Sequence, residues 1–164
     1  MTRLRTQLAH ALGAAPRDTL EGVVRYLRLS HQTTRLLQAR GLDEVLTELD
    51  AARSIPRPIS SPPTLILRLG EAFSRGSRTC LDRALARYAF LRSLGLSPVF
   101  VIGVDPARAA DESDALGHAW VEVDDEPWPP EDVQLYRPSY RHPPRASLTH
   151  PPRFDVRATS PSEI

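Results

Sequence analysis

Two residues in this chain have the types to do covalent chemistry near neutral pH: its single cysteine, Cys80, and His118, one of five histidines. A thiolate is a strong nucleophile, and an imidazole takes up and returns a proton close to neutrality. Together they can attack a carbonyl carbon and release an amine. Cys80 opens a helical pattern, so its sulfur would lie among free backbone N–H groups at the positive end of the helix dipole. Such a setting lowers a thiol pKa by roughly one to several units, and more beside a protonated imidazole. The Cys80 N–H, with Thr79 or Ser77 as a second donor, can then hold the oxyanion that the attack creates. Arg78 and Arg83 add positive charge on either side. Taken singly, each residue has a plainer reading. A cysteine at a helix start is more often a packed small residue, and an isolated strand histidine more often a hydrogen-bonded core or surface group.

Metal and redox chemistry find less support. His10 and His31 lie in helical stretches, and His142 and His150 each precede a proline pair. None has a carboxylate or cysteine at ligand spacing, so neither a metal site nor a cofactor is expected. One cysteine excludes an internal disulfide and a multi-cysteine centre. Calcium is not expected either, for want of an oxygen-rich loop with EF-hand spacing.

The elements that would position the pair can be read from periodicity. Residues 17–53 are helical: Leu20, Val23, Val24 and Leu27 form one set, and Leu36, Leu37, Val45, Leu46 and Leu49 a second. Asp18 or Thr19 can cap the first helix, and Gly41 separates it from the next, giving an antiparallel pair. Residues 54–63 hold four prolines and three serines and read as an extended crossing segment. A helix over 64–73 and a loop over 74–79 lead to Cys80. The helix that begins there ends at Gly95, a C′ glycine. Residues 99–104, apolar on both faces, read as a buried strand.

Residues 118–123 alternate, with His118, Trp120 and Glu122 on one face and Ala119, Val121 and Val123 on the other. Trp120 either covers the Cys–His pair or is plain core. Glu122 is placed at the rim, solvated or against an arginine. Gly103 and Gly117 read as positions of close backbone approach. A turn at 124–126 brings the chain back to one or two strands within 128–136. The last forty residues carry nine prolines and end as an extended tail.

This order is α+β, helices first and then a short antiparallel sheet. The divisions are an N-terminal helical region (1–53), the crossing segment (54–63), a core (64–140) and a proline-rich tail (141–164). At 164 residues, 41% hydrophobic and 25% charged, the chain has the composition of one soluble domain. Net charge is +1, so no global field favours nucleic acid or a membrane. No signal peptide or membrane span is visible, and the expected location is cytoplasmic. All 21 basic residues are arginine, which codon bias explains as well as any surface built for acidic groups.

The order of three segments is more specific than any single residue. Cys80-Leu-Asp-Arg-Ala-Leu-Ala86, Leu94-Gly-Leu-Ser-Pro-Val-Phe-Val-Ile-Gly-Val104 and His118-Ala-Trp-Val-Glu-Val-Asp124 resemble the transglutaminase-like leader peptidases of lasso-peptide biosynthesis. These are the peptidase domains of the microcin-processing B family, in the stand-alone form. The similarity runs over about 64–124, with a looser fit to the helical region before it. It implies a papain-like cysteine peptidase of Cys-His-Asp type that cuts the leader from a ribosomally made precursor peptide. It also implies a separate leader-recognition protein and a separate ATP-using lasso cyclase as partners.

The same resemblance implies an acid about a dozen residues past the histidine, to orient the imidazole. That position falls near Pro130, which has no carboxylate. Asp132 is preferred, Glu131 is held in reserve, and Asp124 and Asp125 lie in the turn, too early. No glutamine precedes Cys80 within forty residues to supply a papain-like oxyanion donor. Two other classes stay open: a non-catalytic adaptor for the precursor or cyclase, suggested by Pro130, and a transglutaminase-like enzyme passing the acyl group to an amine.

Overall fold

The computed structural model describes residues 17–52, 59–74, 79–107 and 117–144. Four helices come first: α1 (Arg17–Arg40), α2 (Leu42–Ala51), α3 (Pro63–Phe73) and α4 (Cys80–Ser93). Four strands follow: β1 (Val99–Val104), β2 (Gly117–Val123), β3 (Glu126–Pro127) and β4 (Arg137–His142). They form one sheet in the order β3-β2-β1-β4, with every described pairing antiparallel. The fold class is α+β, as the order of patterns predicts.

Helix α4 is the centre of the molecule. Every residue from 84 to 91 is buried, including Leu85, Tyr88, Phe90 and Leu91. A helix buried on all sides must be covered on all sides. One face of α4 joins Val45 and Leu46 of α2 with Phe100, Ala119 and Val121 of the sheet. The other carries Ala86 and Phe90 against Val23 and Tyr26 of α1 and Ile66 and Leu67 of α3. Each large side chain buried in this way contributes about 1.5–3 kcal/mol. Helix α1 therefore packs chiefly along α4 and α3, and less on α2.

Local signals explain the boundaries. Gly95 takes φ 83°, and the N–H groups of Leu96 and Gly95 bond to the carbonyls of Leu91 and Arg92, closing α4 with a Schellman motif. Pro63 starts α3 at the first helical position, where its missing N–H costs nothing. Asp18 and Thr19 lie within the first turn of α1, and the Thr19 hydroxyl turns onto Ser61 Oγ at 2.6 Å instead of capping. Asp124 and Asp125 both have positive φ, the geometry of a tight hairpin turn between β2 and β3.

The end of the chain differs from the sequence reading. Residues 128–136 are irregular apart from turns, and the strand comes later, at 137–142. Pro129 and Pro130 supply no N–H, which interrupts a ladder in this stretch. β4 accommodates Pro138 because it is an edge strand with an irregularity opposite Ile102 and Gly103. The N-terminal sixteen residues, 53–58 of the crossing segment and the tail from 145 lie outside the described residues.

Candidate active site

The site begins with a well-capped helix. The Thr79 hydroxyl accepts from the Asp82 N–H, and the Asp82 carboxylate accepts from the Thr79 N–H at 3.2 Å, a capping box. Such a cap contributes about 1 kcal/mol and fixes where the helix starts. Asp82 also accepts from the Thr34 hydroxyl at 3.1 Å, which ties the helix start to α1. Cys80 is the first helical residue, so its N–H has no intrahelical acceptor and is available to an oxyanion. The Thr79 N–H and hydroxyl are both bonded to Asp82, which takes Thr79 out of that role. Ser77 and Arg78 lie outside the described residues. The half-buried Cys80 thiol donates weakly to the carbonyl of Gly117, at 3.9 Å, one residue before His118.

His118 sits in a cluster with Trp120 and Tyr136, whose own ring centroids are 6.5 Å apart. It stands opposite Gly103 in the β1–β2 register. Its ring stacks on Trp120 at 6.1 Å and on Tyr136 at 5.0 Å between centroids. Trp120 is 1% exposed and donates its indole N–H to Glu122 at 3.0 Å. Glu122 is 6% exposed, and both of its carboxylate oxygens accept from Arg141 of β4. It is therefore a buried ion-pair partner rather than a rim residue, because β4 carries its counter-charge across β1. A Cβ on Gly103 would lie 2.7 Å from the Trp120 ring, so the expected close approach is real at that position. At Gly117 the nearest atom would be 3.7 Å away, which is ordinary contact.

The carboxylate that faces His118 belongs to Glu131. Its Oε2 is 3.6 Å from His118 Nε2, leaving Nδ1 as the ring nitrogen turned from Glu131. Its Oε1 accepts from Arg87 Nη1 at 3.0 Å. Arg87, 8% exposed, donates from its Nε to Glu71 of α3 at 2.7 Å. Burial opposes the charge on Arg87, but the Glu71 bond and the two carboxylates outweigh it and raise its pKa. Asp132, preferred on sequence, is exposed and accepts the N–H of Gln134 at 3.2 Å, turning into its own loop. Backbone alternation after Pro130 thus directs the first acid inward and the second outward. Asp124 is exposed in the hairpin turn.

Cys80, Arg83, Arg87, His118, Ala119 and Glu131 line one small open cleft of about 40 Å³. It joins a nucleophile, a proton carrier and a carboxylate, the parts required for acyl transfer through a thioester. Among the described residues no group of three potential ligands could hold a metal ion.

Residues 23–142 match the family model of the transglutaminase-like superfamily. The chain belongs to that superfamily. The matched segment starts within α1 and ends on the last residue of β4, so it takes in helices that precede the Cys80 motif. The superfamily includes cysteine peptidases and acyltransferases, which share the fold class found here. No curated protein and no solved structure gives a significant match. No described helix is long and apolar enough to cross a membrane.

Three site residues of this transglutaminase-like domain escaped the sequence reading: Arg87, Glu71 and Tyr136. Arg87 had a signal. It is a lone charge within Ala-Leu-Ala-Arg-Tyr-Ala-Phe, two helical turns after Cys80 and hence on the same face. A charge inside an otherwise apolar helix demands a buried partner. Glu71 and Tyr136 had none, since only the tertiary fold brings them near.

Proposed function

We propose that this protein is a cysteine peptidase that removes the leader from a ribosomally made precursor peptide during lasso-peptide biosynthesis in the cytoplasm. The observation that carries the reading is the meeting of the Cys80 sulfur, the His118 imidazole and the Glu131 carboxylate at one cleft. The three sequence segments that resemble the lasso leader peptidases supply the choice of substrate. On this reading Glu131, not Asp132, is the third member.

The Cys80 thiolate attacks the carbonyl carbon of the leader–core bond, forming a C–S bond. The resulting oxyanion is held by the Cys80 N–H at the start of α4. Protonated His118 gives its proton to the nitrogen as the C–N bond breaks, and the core peptide leaves with a free amine. Water then attacks the thioester, losing a proton to His118, and the thiolate departs from a free carboxylate. Glu131 orients the imidazole through Nε2. A separate recognition protein presents the leader, and a separate cyclase consumes the freed core.

The test is to mix the protein with precursor and recognition partner and follow leader release by mass spectrometry. One cleavage is expected, with the carboxylate product carrying water oxygen in H₂¹⁸O. Undiminished release by Cys80→Ala overturns the reading. Capture of an added amine in place of water shows acyl transfer instead.

A further inference from the structure

Among the described residues that line the cleft, Arg83 is the one charged side chain without a partner. It lies one turn past Cys80 on the same face of α4 and lines the cleft with the sulfur. It has no hydrogen-bond or ion-pair partner among the described residues. The neighbouring charges are all engaged. Arg87 is held between Glu71 and Glu131. Glu131 spends one oxygen on Arg87 and turns the other to His118. Asp82, adjacent in sequence, is committed to the Thr79 cap and to Thr34. Among the described residues the cleft therefore presents uncompensated positive charge beside the nucleophile.

Its lining points the same way. Among the described residues Ala119 is the only lining side chain without a polar or ionisable group, so a large apolar side chain has little to bury against. A cationic side chain would meet Arg83 directly. A carboxylate finds a guanidinium with free donors, the geometry that binds carboxylates in a fork.

We infer that Arg83 forms a subsite for a carboxylate of the bound peptide, next to the bond that Cys80 attacks. The inference rests on the peptidase reading only for the substrate being a peptide. The carboxylate belongs either to an Asp or Glu side chain or to a chain terminus, and the two sources are separable.

The test reads Cys80 directly and needs no turnover. Alkylation rates with iodoacetate and iodoacetamide are measured at pH 7 for the wild type, Arg83→Gln and Arg83→Lys. The two reagents differ in the carboxylate, so their ratio isolates the charge beside the sulfur from the state of the thiol. The wild-type ratio should fall roughly fivefold in Arg83→Gln, the size of one screened charge at this range. Arg83→Lys should keep most of it, and 1 M salt should flatten the difference. An equal ratio in wild type and Arg83→Gln overturns the inference.

A second arm measures protection of Cys80 from iodoacetamide by N-acetylated tripeptides. Protection by Gly-Asp-Gly amide but not Gly-Asn-Gly amide assigns the subsite to a side chain. Protection by Gly-Asn-Gly as the free acid assigns it to a terminus. Equal effects of all three overturn the inference. A protein that passes both arms yet cleaves no precursor would contradict the peptidase reading and leave the subsite standing.

Discussion

One carboxylate is shared between Arg87 and His118: Glu131 Oε1 lies 3.0 Å from Arg87 Nη1, and Oε2 lies 3.6 Å from His118 Nε2. Because Arg87 sits two turns along the helix that begins with Cys80, this contact links nucleophile and imidazole through the scaffold. Glu71 extends the link to α3. The relative position of the two reactive groups thus depends on a buried charge network as well as on the core.

Removal of the cation should show how much depends on it. Arg87→Met removes the guanidinium that joins Glu71 to Glu131 and leaves Glu131 only the imidazole. Breaking one partner of a buried ionic group costs about 3 kcal/mol, so urea unfolding should reveal a loss of that order. Arg87→Lys keeps the charge but not the fork that spans two carboxylates. It should recover part of the stability and less of the activity. Equal stability of Arg87→Met and wild type would mean that the network is not formed.

Glu131 and Asp132, adjacent in the chain, should separate cleanly. Glu131→Gln removes the charged partner of the imidazole; that 3.6 Å contact becomes worth about 1.5–3 kcal/mol once it tightens to hydrogen-bond distance with substrate bound. On the proposed peptidase reading, leader release should slow roughly tenfold to a hundredfold in kcat/KM, since about 1.4 kcal/mol is one decade. Asp132→Asn retains an oxygen that can accept the Gln134 N–H and should leave the rate within about twofold. The reverse pattern would return the role to Asp132.

The sequence made the architecture legible where local chemistry decides the structure. Cys80 at a helix start, Gly95 as its stop, the apolar run of β1 and the alternation of β2 all follow from capping, glycine geometry and periodicity. The acid was not legible, because Pro129 and Pro130 hide the register of the loop that carries it. Glu131 and Asp132 differ only in which way the backbone turns after Pro130. β4 was misplaced for a related reason, as its Pro138 speaks against a strand unless the edge position is known. Glu122 looked like a rim residue because its partner, Arg141, lies on a strand that the pattern did not reveal.

Two tyrosines should weaken the fold in alkali. Tyr140 donates to Asp43 at 2.7 Å, and partial burial together with that carboxylate pushes its pKa up to about 12. Tyr88 donates to Asp50 at 2.6 Å and is raised as well, first by burial and then by Asp50. In the unfolded chain both ionise near 10. Between those values the folded state binds more protons, so stability falls as pH rises. Denaturant unfolding should be insensitive to these groups below about pH 9 and weaken steadily from pH 10 to 12. Tyr88→Phe and Tyr140→Phe should each flatten that slope, and each should remove one late-appearing tyrosinate from the absorbance at about 295 nm. Normal titration of all four tyrosines would refute it.

Gly103 tests whether the aromatic support of His118 matters. A methyl group there would lie 2.7 Å and 2.9 Å from the Trp120 ring and 3.0 Å from the carbonyl of Arg137. The ring cannot swing freely, because its N–H is held by Glu122, which Arg141 holds in turn. Gly103→Ala must therefore shift β4 or rotate Trp120 away from the imidazole. Overpacking of this kind costs about 1–3 kcal/mol. The loss should come with altered near-UV circular dichroism from Trp120 and a lower rate of leader release. Gly117→Ala is the control, since its methyl meets nothing closer than 3.7 Å. It should match wild type or gain a few tenths of a kcal/mol from a less flexible unfolded chain. If both variants behave alike, Trp120 is packing without influence on His118.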